Sequence, residues 1–315
     1  MTTDRVHTIL LFLITVVFGL PLAARAEAPD LSRVLLKSTA RIEVTKADGP
    51  HAGTGFFFFL KHPDGEQSVP LLITCKHLLA GAQSGGIFLS IKSADEKKED
   101  IQVRRVAFED TQSAWVPHPQ QDVDLVAMPL APLFRKLQET KEMVDLTPLA
   151  PALLPDEETL RDISLFSEVK IVGYPIGIWD QKTNLPLFRR GMFASDPLQD
   201  FQGKPVFLID AAILPGSSGS PVLIADEGSY ASKGGLSFGR RVFFVGVVFA
   251  TPLMQAKGQI EFRPLPTAFD AVSLTPVPTN LGVVLKASLL ADFLKIFGVP
   301  EKEEANKSVE PTPTR

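Results

Sequence analysis

The stretch that decides the interpretation of this chain is 210-DAAILPGSSGSPVLI-224. Residues 216–221 are all glycine, serine or proline, a composition typical of a surface loop. Apolar, strand-like runs lie directly on both sides, and Ser218 lies between Gly216 and Gly219. A serine hydroxyl is a weak nucleophile until a neighbouring base takes its proton. The stretch is therefore either a flexible connector or a turn that holds Ser218 against a histidine from elsewhere in the chain.

Every histidine of the chain precedes Ser218, which excludes the α/β-hydrolase order of serine, acid and histidine. His77 has the best context, because it follows the apolar run "PLLITC" (70–75) and so lies at a strand end. The other histidines are His7 in the short polar opening of the predicted signal peptide, His62, and His51 and His118 in proline- or glycine-flanked loops. A histidine taken alone is more often structural or solvated than catalytic.

The acid candidate is Asp124, which opens the apolar run "LVAMPL" (125–130). Asp122 is a nearby competitor in the more polar part of the same segment. Aspartates are common in the turns that begin strands. Asp124 is therefore a candidate catalytic acid only in combination with His77 and Ser218.

Together these segments resemble the trypsin-like (chymotrypsin-fold) serine peptidases, in particular the bacterial HtrA/Deg branch. The separations of 47 residues from His77 to Asp124 and 94 from Asp124 to Ser218 are close to that family's, about 45 and about 93. The resemblance covers roughly residues 35–255. The matching segments are "GTGF" (53–56), "TCKH" (74–77), "DLV" (124–126), "VGYPIG" (172–177) and "DAAILPGSSGSP" (210–221).

The resemblance implies a serine endopeptidase that acts on polypeptides. Ser218 would be the nucleophile, His77 the general base and acid, and Asp124 the group that orients the imidazole. The oxyanion hole would lie at Gly216, Ser217 and Ser218, with the amides of Gly216 and Ser218 as donors and Ser217 shaping the turn. No metal or organic cofactor is expected, since no cluster of histidine, cysteine and carboxylate residues has ligand spacing.

Substrate specificity is expected to depend on an uncharged pocket. Ala212 lies six residues before Ser218, the place of the specificity-setting residue in the family. Val247 and Phe249, in the run "VGVVFATP" (245–252), would supply further walls. These residues predict a small-to-medium apolar side chain before the scissile bond, and cleavage only after Lys or Arg would contradict this.

The chain departs from the family pattern at several positions. Ser220 stands where the family usually has glycine, and Ser217 replaces the aspartate that captures a freed N-terminus in digestive zymogens. Cys75, the single cysteine, is expected to be buried as a small apolar group. The 97 residues after Ser218 are expected to finish the second barrel and leave no room for a PDZ domain.

Strand-like runs recur along the chain and predict an all-β fold of two six-stranded antiparallel β-barrels with a short C-terminal helix. The expected organisation is a signal peptide at 1–26, a first barrel at 27–135, a connector at 136–167, a second barrel with a closing helix at 168–298 and a disordered tail at 299–315. The predicted strands are 40–47, 53–60, 70–75, 86–93, 101–108 and 125–130, then 168–174, 188–195, 205–212, 220–225, 241–250 and 281–287.

The N-terminal segment predicts export. An apolar run (9–24) is followed by Ala24-Arg25-Ala26, the small-x-small form of a signal-peptidase site. Cleavage would give a secreted or periplasmic protein without stable membrane insertion, and an uncleaved N-terminal anchor is the alternative. Without residues 1–26 the chain has 30 basic and 35 acidic side chains, which argues against nucleic-acid binding.

Other functions remain open at this stage. The chain could be a trypsin-like homologue with a latent site that serves as a binding or regulatory module, or an enzyme that hydrolyses esters. Acids upstream of His77 would permit the subtilisin order, but the residues around Ser218 match the chymotrypsin pattern better. Natural substrate, oligomeric state and any activating partner are not determined by the sequence.

Overall fold

The computed structural model describes residues 30–61, 68–93, 101–108, 114–175, 178–232, 235–251, 253–259 and 272–298. The predicted signal peptide (1–26) and tail (299–315) lie outside the described residues, as do His7 and His62.

The N-terminal half forms one antiparallel sheet of eight strands, paired in the order β5-β4-β1-β2-β3-β7-β6, with β8 added to β4. Six of these strands coincide with the six that the sequence predicts. The other two, β6 and β8, are two and three residues long, too short for an alternating pattern to reveal them. The strands are β1 (Thr39–Lys46), β2 (Gly49–Lys61), β3 (Ser68–Thr74), β4 (Ser84–Ser93), β5 (Ile101–Phe108), β6 (Val116–Pro117), β7 (Val126–Pro129) and β8 (Glu142–Val144).

The C-terminal half forms a closed six-stranded antiparallel barrel in the order β10-β11-β16-β13-β12-β9. These are the six strands predicted from the second group of apolar runs, so the all-β prediction is confirmed. β14 and β15 pair only with each other, as a separate hairpin. The strands are β9 (Glu168–Gly173), β10 (Leu187–Phe193), β11 (Val206–Asp210), β12 (Pro221–Ser232), β13 (Gly235–Ala250), β14 (Leu253–Gln259), β15 (Val272–Pro278) and β16 (Leu281–Lys286).

Helices are short and lie between or after the strands. The predicted connector 136–167 holds the end of α3, β8 and α4, and the side chain of Asp156 caps α4 by accepting the Thr159 amide at 2.8 Å. No helix among the described residues is long and apolar enough to cross a bilayer. The helices are α1 (Leu31–Leu35), α2 (Lys76–Leu79), α3 (Ala131–Glu139), α4 (Glu157–Asp162) and α5 (Ala291–Ile296), with 3-10 turns at Pro151–Leu153, Phe201–Gly203 and Ala287–Leu290.

The four consecutive phenylalanines of β2 (56–59) show how the sequence builds the core. Successive side chains of a strand point to opposite faces. Phe56 and Phe58 therefore face a core shared by the sheet and the barrel, while Phe57 faces the core of the sheet itself. In the shared core, the ring of Phe244 from β13 contacts both rings edge-on, at 5.1 Å from Phe56 and 6.2 Å from Phe58.

The closing helix α5 is fixed to the first sheet through His118. This imidazole is buried, its Nε2 donates to the Leu289 carbonyl at 3.0 Å, and its Nδ1 accepts the Gln120 amide at 3.2 Å. Its ring also lies edge-on against Phe293 of α5. Both nitrogens are thus used in the structure, and His118 has a structural role.

Replacing Phe244 by alanine is expected to lower the free energy of unfolding by about 3–5 kcal/mol, because it empties the centre of the shared core. Phe238→Ala is the matched control in the same strand: its ring is 77% exposed, and the expected change is within about 0.5 kcal/mol. Guanidinium denaturation measures both. Similar losses for the two variants would contradict a core formed jointly by sheet and barrel.

Candidate active site

Two neighbouring strands bring His77 and Asp124 together. β3 pairs with β7, with Thr74 opposite Val126, so His77 just after β3 lies beside Asp124 just before β7. Asp124 Oδ2 is hydrogen-bonded to His77 Nδ1, and its Oδ1 accepts the backbone amide of His77 at 2.8 Å. One carboxylate therefore fixes both the ring and the backbone of His77. Because Nδ1 is bonded to Asp124, Nε2 is the ring nitrogen left to interact with another group. Asp122 lies exposed at the surface.

Ser218 reaches the same cleft from the loop between β11 and β12. Its side chain and that of His77 both line a cleft of about 440 Å³, which also includes Lys46, His51 and Gly216. Ser218 Oγ donates a long hydrogen bond, 3.4 Å, to the carbonyl of Phe249. Among the described residues, the Ser218 hydroxyl makes no other hydrogen bond. It is therefore not hydrogen-bonded to His77 in this structure.

Two backbone amides of this loop donate no hydrogen bond within the described protein. Three amides are paired internally: Ser217 donates to Leu214 O at 3.0 Å, Gly219 to Val248 O at 2.8 Å, and Ser220 to Ser217 O at 3.0 Å. The amides of Gly216 and Ser218 have no acceptor among the described residues. Two free amides next to a serine hydroxyl are the donor set needed to stabilise an oxyanion.

Thr54 of β2 holds this loop against the first sheet. Its amide donates to Ser218 O at 3.0 Å and its hydroxyl donates to Gly216 O at 3.1 Å. The same hydroxyl accepts the Tyr174 amide at 3.0 Å, and the Thr54 carbonyl accepts the Thr74 hydroxyl at 2.7 Å. The sequence analysis used Thr54 only as part of the "GTGF" match. The available signal was a polar residue between two glycines in an otherwise apolar strand.

The close approach of loop and strand requires glycine. A Cβ on Gly219 would lie 2.0 Å from the Thr54 carbonyl oxygen, and one on Gly173 would lie 2.0 Å from Ser220 Oγ. Ser220 thus occupies space that Gly173 leaves open, which is how the turn accommodates serine where glycine is usual. Its buried hydroxyl has no hydrogen-bond partner among the described atoms.

Cys75 is fully buried and packs beneath the pair formed by His77 and Asp124. Its thiol donates to the Val248 carbonyl at 3.5 Å. Burial, reinforced by the negative charge of Asp124, raises the pKa of the Cys75 thiol well above its ordinary value. Ligand atoms of Cys75, His77 and Asp124 lie within 4.8 Å of one another, and the imidazole and the carboxylate are hydrogen-bonded to each other. The geometry is that of a hydrogen-bonded pair beside an apolar thiol.

The predicted pocket residues differ in their placement. The ring of Phe249 lies 6.1 Å from that of His77, centroid to centroid, but Phe249 is not among the residues that line the cleft. Ala212 is partly exposed in the loop before Ser218. Val247 is fully buried in the core shared by sheet and barrel, and its side chain contributes no exposed surface to a pocket.

Comparisons with known proteins agree with this architecture. The profile of the family described as "Trypsin-like peptidase domain" matches residues 53–230. No curated protein sequence matches the chain.

The solved structures to which the chain is similar include three proteases. The active form of the Rv3671c protease from M. tuberculosis is 19% identical, with 87% of this chain and 88% of that chain covered and a TM-score of 0.42. The HtrA-type protease AlgW with a tripeptide is 14% identical, with 85% and 63% covered and a TM-score of 0.43. The serine endoprotease from Yersinia pestis is 11% identical, with 86% and 67% covered and a TM-score of 0.44.

Gly219→Ala is expected to destabilise the protein by more than Gly228→Ala, its matched control. Both residues have positive φ, +85° and +94°, so both variants lose about 1–2 kcal/mol from backbone strain. Only Gly219 faces the Thr54 carbonyl, whereas a Cβ on Gly228 meets nothing within 4 Å. The clash should add about 1–3 kcal/mol, measured by chemical denaturation. Equal losses would show that the approach of Thr54 to the loop is not a constraint.

Proposed function

Since this chain belongs to the trypsin-like peptidase family, we propose that it is a serine endopeptidase that cleaves polypeptides through an acyl-enzyme on Ser218. Family membership establishes the serine-type peptidase class. The assignment of His77, Asp124 and Ser218 as the catalytic triad, and of Gly216 and Ser218 as oxyanion donors, is our proposal.

In the proposed mechanism, Ser218 Oγ attacks the carbonyl carbon of the scissile bond while its proton passes to His77 Nε2. The hydrogen bond from Nδ1 to Asp124 keeps Nε2 as the accepting nitrogen and stabilises the imidazolium that forms. Collapse of the tetrahedral intermediate breaks the C–N bond, and His77 gives the proton to the leaving amine. Water then attacks the acyl-enzyme by the same route and releases Ser218.

The observation that carries the proposal is the pair of free amides, at Gly216 and Ser218, next to the nucleophile. Every other amide from Ser217 to Ser220 is satisfied within the protein, so the loop leaves donors where an oxyanion would develop. Preorganised donors of this kind contribute about 10²–10³ in rate each.

The hydrogen bond from Ser218 to Phe249 favours the second candidate, a latent site in a binding or regulatory module. In this arrangement the hydroxyl is directed at a carbonyl that cannot act as a base. Catalysis requires rotation about the Ser218 side chain toward His77, at the cost of one long hydrogen bond. The two functions differ in whether that rotation occurs.

A fluorophosphonate probe distinguishes the two functions, because it reacts only with a serine hydroxyl activated by a base. Wild-type protein is expected to be labelled, and Ser218→Ala to lose at least about 10³-fold in labelling rate. Ser220→Ala is the matched control: it removes a buried hydroxyl without a partner two residues away and should keep both labelling and stability. Absence of labelling in folded wild-type protein would favour the latent module, and labelling that persists in Ser218→Ala would refute the assignment of the nucleophile.

We also propose export to the periplasm or exterior, with cleavage after Ala26. Expression of the full chain in a bacterial host should give a protein whose intact mass corresponds to a start at Glu27. The control is a variant with Ala24→Arg and Ala26→Arg, which removes the small residues of the cleavage site and should keep the full-length mass. A wild-type mass that begins at Met1 would contradict export by signal cleavage and favour the N-terminal anchor.

A further inference from the structure

The cleft at Ser218 extends toward the hairpin between β1 and β2. Lys46 and His51 line this part of it. Ala212 and Phe249 do not line it, and they are the residues that the sequence predicts for the pocket of the side chain before the scissile bond. An extended substrate with its scissile carbonyl at Ser218 would therefore run with the residues after the scissile bond through this cleft.

Lys46 brings a positive charge into the cleft. Its Nζ donates to the His77 carbonyl at 2.8 Å, and it forms no ion pair with a carboxylate among the described residues. A neutral carbonyl accepts the hydrogen bond without cancelling the charge, and an ammonium has three N–H groups to donate. No aspartate or glutamate is among the described residues that line the cleft. The Lys46 ammonium is therefore held in place but available to a substrate carboxylate.

His51 adds no net positive charge, because its Nε2 is bonded to Asp48 Oδ1 at 2.8 Å. This hydrogen bond is the main reason why the pKa of the Asp48 carboxyl is lowered, so that residue is ionised at neutral pH. Asp48 does not line the cleft, and its side chain is 73% exposed, so water screens its charge from a group inside. Lys46 is thus the permanent cation of the described lining.

We propose that Lys46 gives the peptidase a preference for an acidic residue at the first or second position after the scissile bond. This inference rests on the proposed function, since it concerns the substrate that is cleaved at Ser218. Residues of an extended chain rise by about 3.3 Å each, so these two positions are the first to enter the cleft beyond Ser218. The ammonium, fixed beside His77 through the carbonyl of that residue, meets the carboxylate there.

The expected effect is moderate, because the ion pair is partly exposed to water. Exposed pairs of this kind change an equilibrium or rate constant by about two- to fivefold. The preference should also fall as the salt concentration rises, since mobile ions screen charges at the surface. An apolar contact of the same substrate would not show this dependence.

The test compares matched substrates on the same protein. Cleavage sites are first mapped by mass spectrometry in a library of proteome-derived peptides, and a cleaved sequence is then made as a set of quenched fluorogenic peptides. Members of the set carry Asp, Asn or Lys at the first or the second position after the scissile bond. The kcat/KM for the Asp peptide is expected to exceed that for the Asn peptide by about two- to fivefold at one of the positions, with the Lys peptide lowest.

Charge variants assign the preference to one side chain. Lys46→Gln should abolish the difference between the Asp and Asn peptides, and Lys46→Glu should reverse the order of the Asp and Lys peptides. Lys76→Glu is the matched control: Lys76 also donates to backbone carbonyls, at 3.4 and 3.3 Å, and is adjacent to His77, but it does not line the cleft. Each result is a ratio measured on one protein, so a general loss of activity or stability in a variant cancels.

The fluorophosphonate result separates failure of this inference from failure of the proposed function. Labelled protein that cleaves the Asp, Asn and Lys peptides equally, or that cleaves no peptide of the library, would overturn the role of Lys46 and leave Ser218 as the nucleophile. A preference that Lys46→Glu retains, or that Lys76→Glu also reverses, would overturn it as well. Absence of both labelling and cleavage would refute the proposed function and this inference with it.

Discussion

One buried residue, Thr54, connects the parts of the molecule on which the candidate site depends. Its hydroxyl donates to the Gly216 carbonyl and accepts the Tyr174 amide after β9, and its backbone amide donates to the carbonyl of Ser218. The first sheet supplies Thr54, and the barrel supplies the other three residues. Because Thr54 approaches so closely, Gly219 must lack a Cβ. Thr54 thus holds the carbonyls of Gly216 and Ser218, the two residues whose amides have no acceptor among the described residues.

The shared core makes this contact rigid. Sheet and barrel bury their apolar faces against each other through Phe56, Phe58 and Phe244, so strand ends from both halves are held in fixed positions. A second link lies next to the site, where the Val248 carbonyl accepts both the Gly219 amide and the Cys75 thiol. His77 lies in α2 directly after β3, Asp124 lies just before β7, and Ser218 lies in the loop between β11 and β12. Loops on a rigid scaffold are the usual location of catalytic groups.

The sequence by itself determined the strands and the residue types of the site. Apolar runs bounded by Gly, Pro, Asn and Asp are a local pattern, and they located the six barrel strands and the six longer strands of the first sheet. The order and spacing of His77, Asp124 and Ser218 indicated the candidates. Only the tertiary structure showed Thr54 as the link, the hydroxyl of Ser218 turned to Phe249, and Val247 buried in the core. These depend on contacts between residues distant in sequence, such as the 162 positions between Thr54 and Gly216, which no local pattern records.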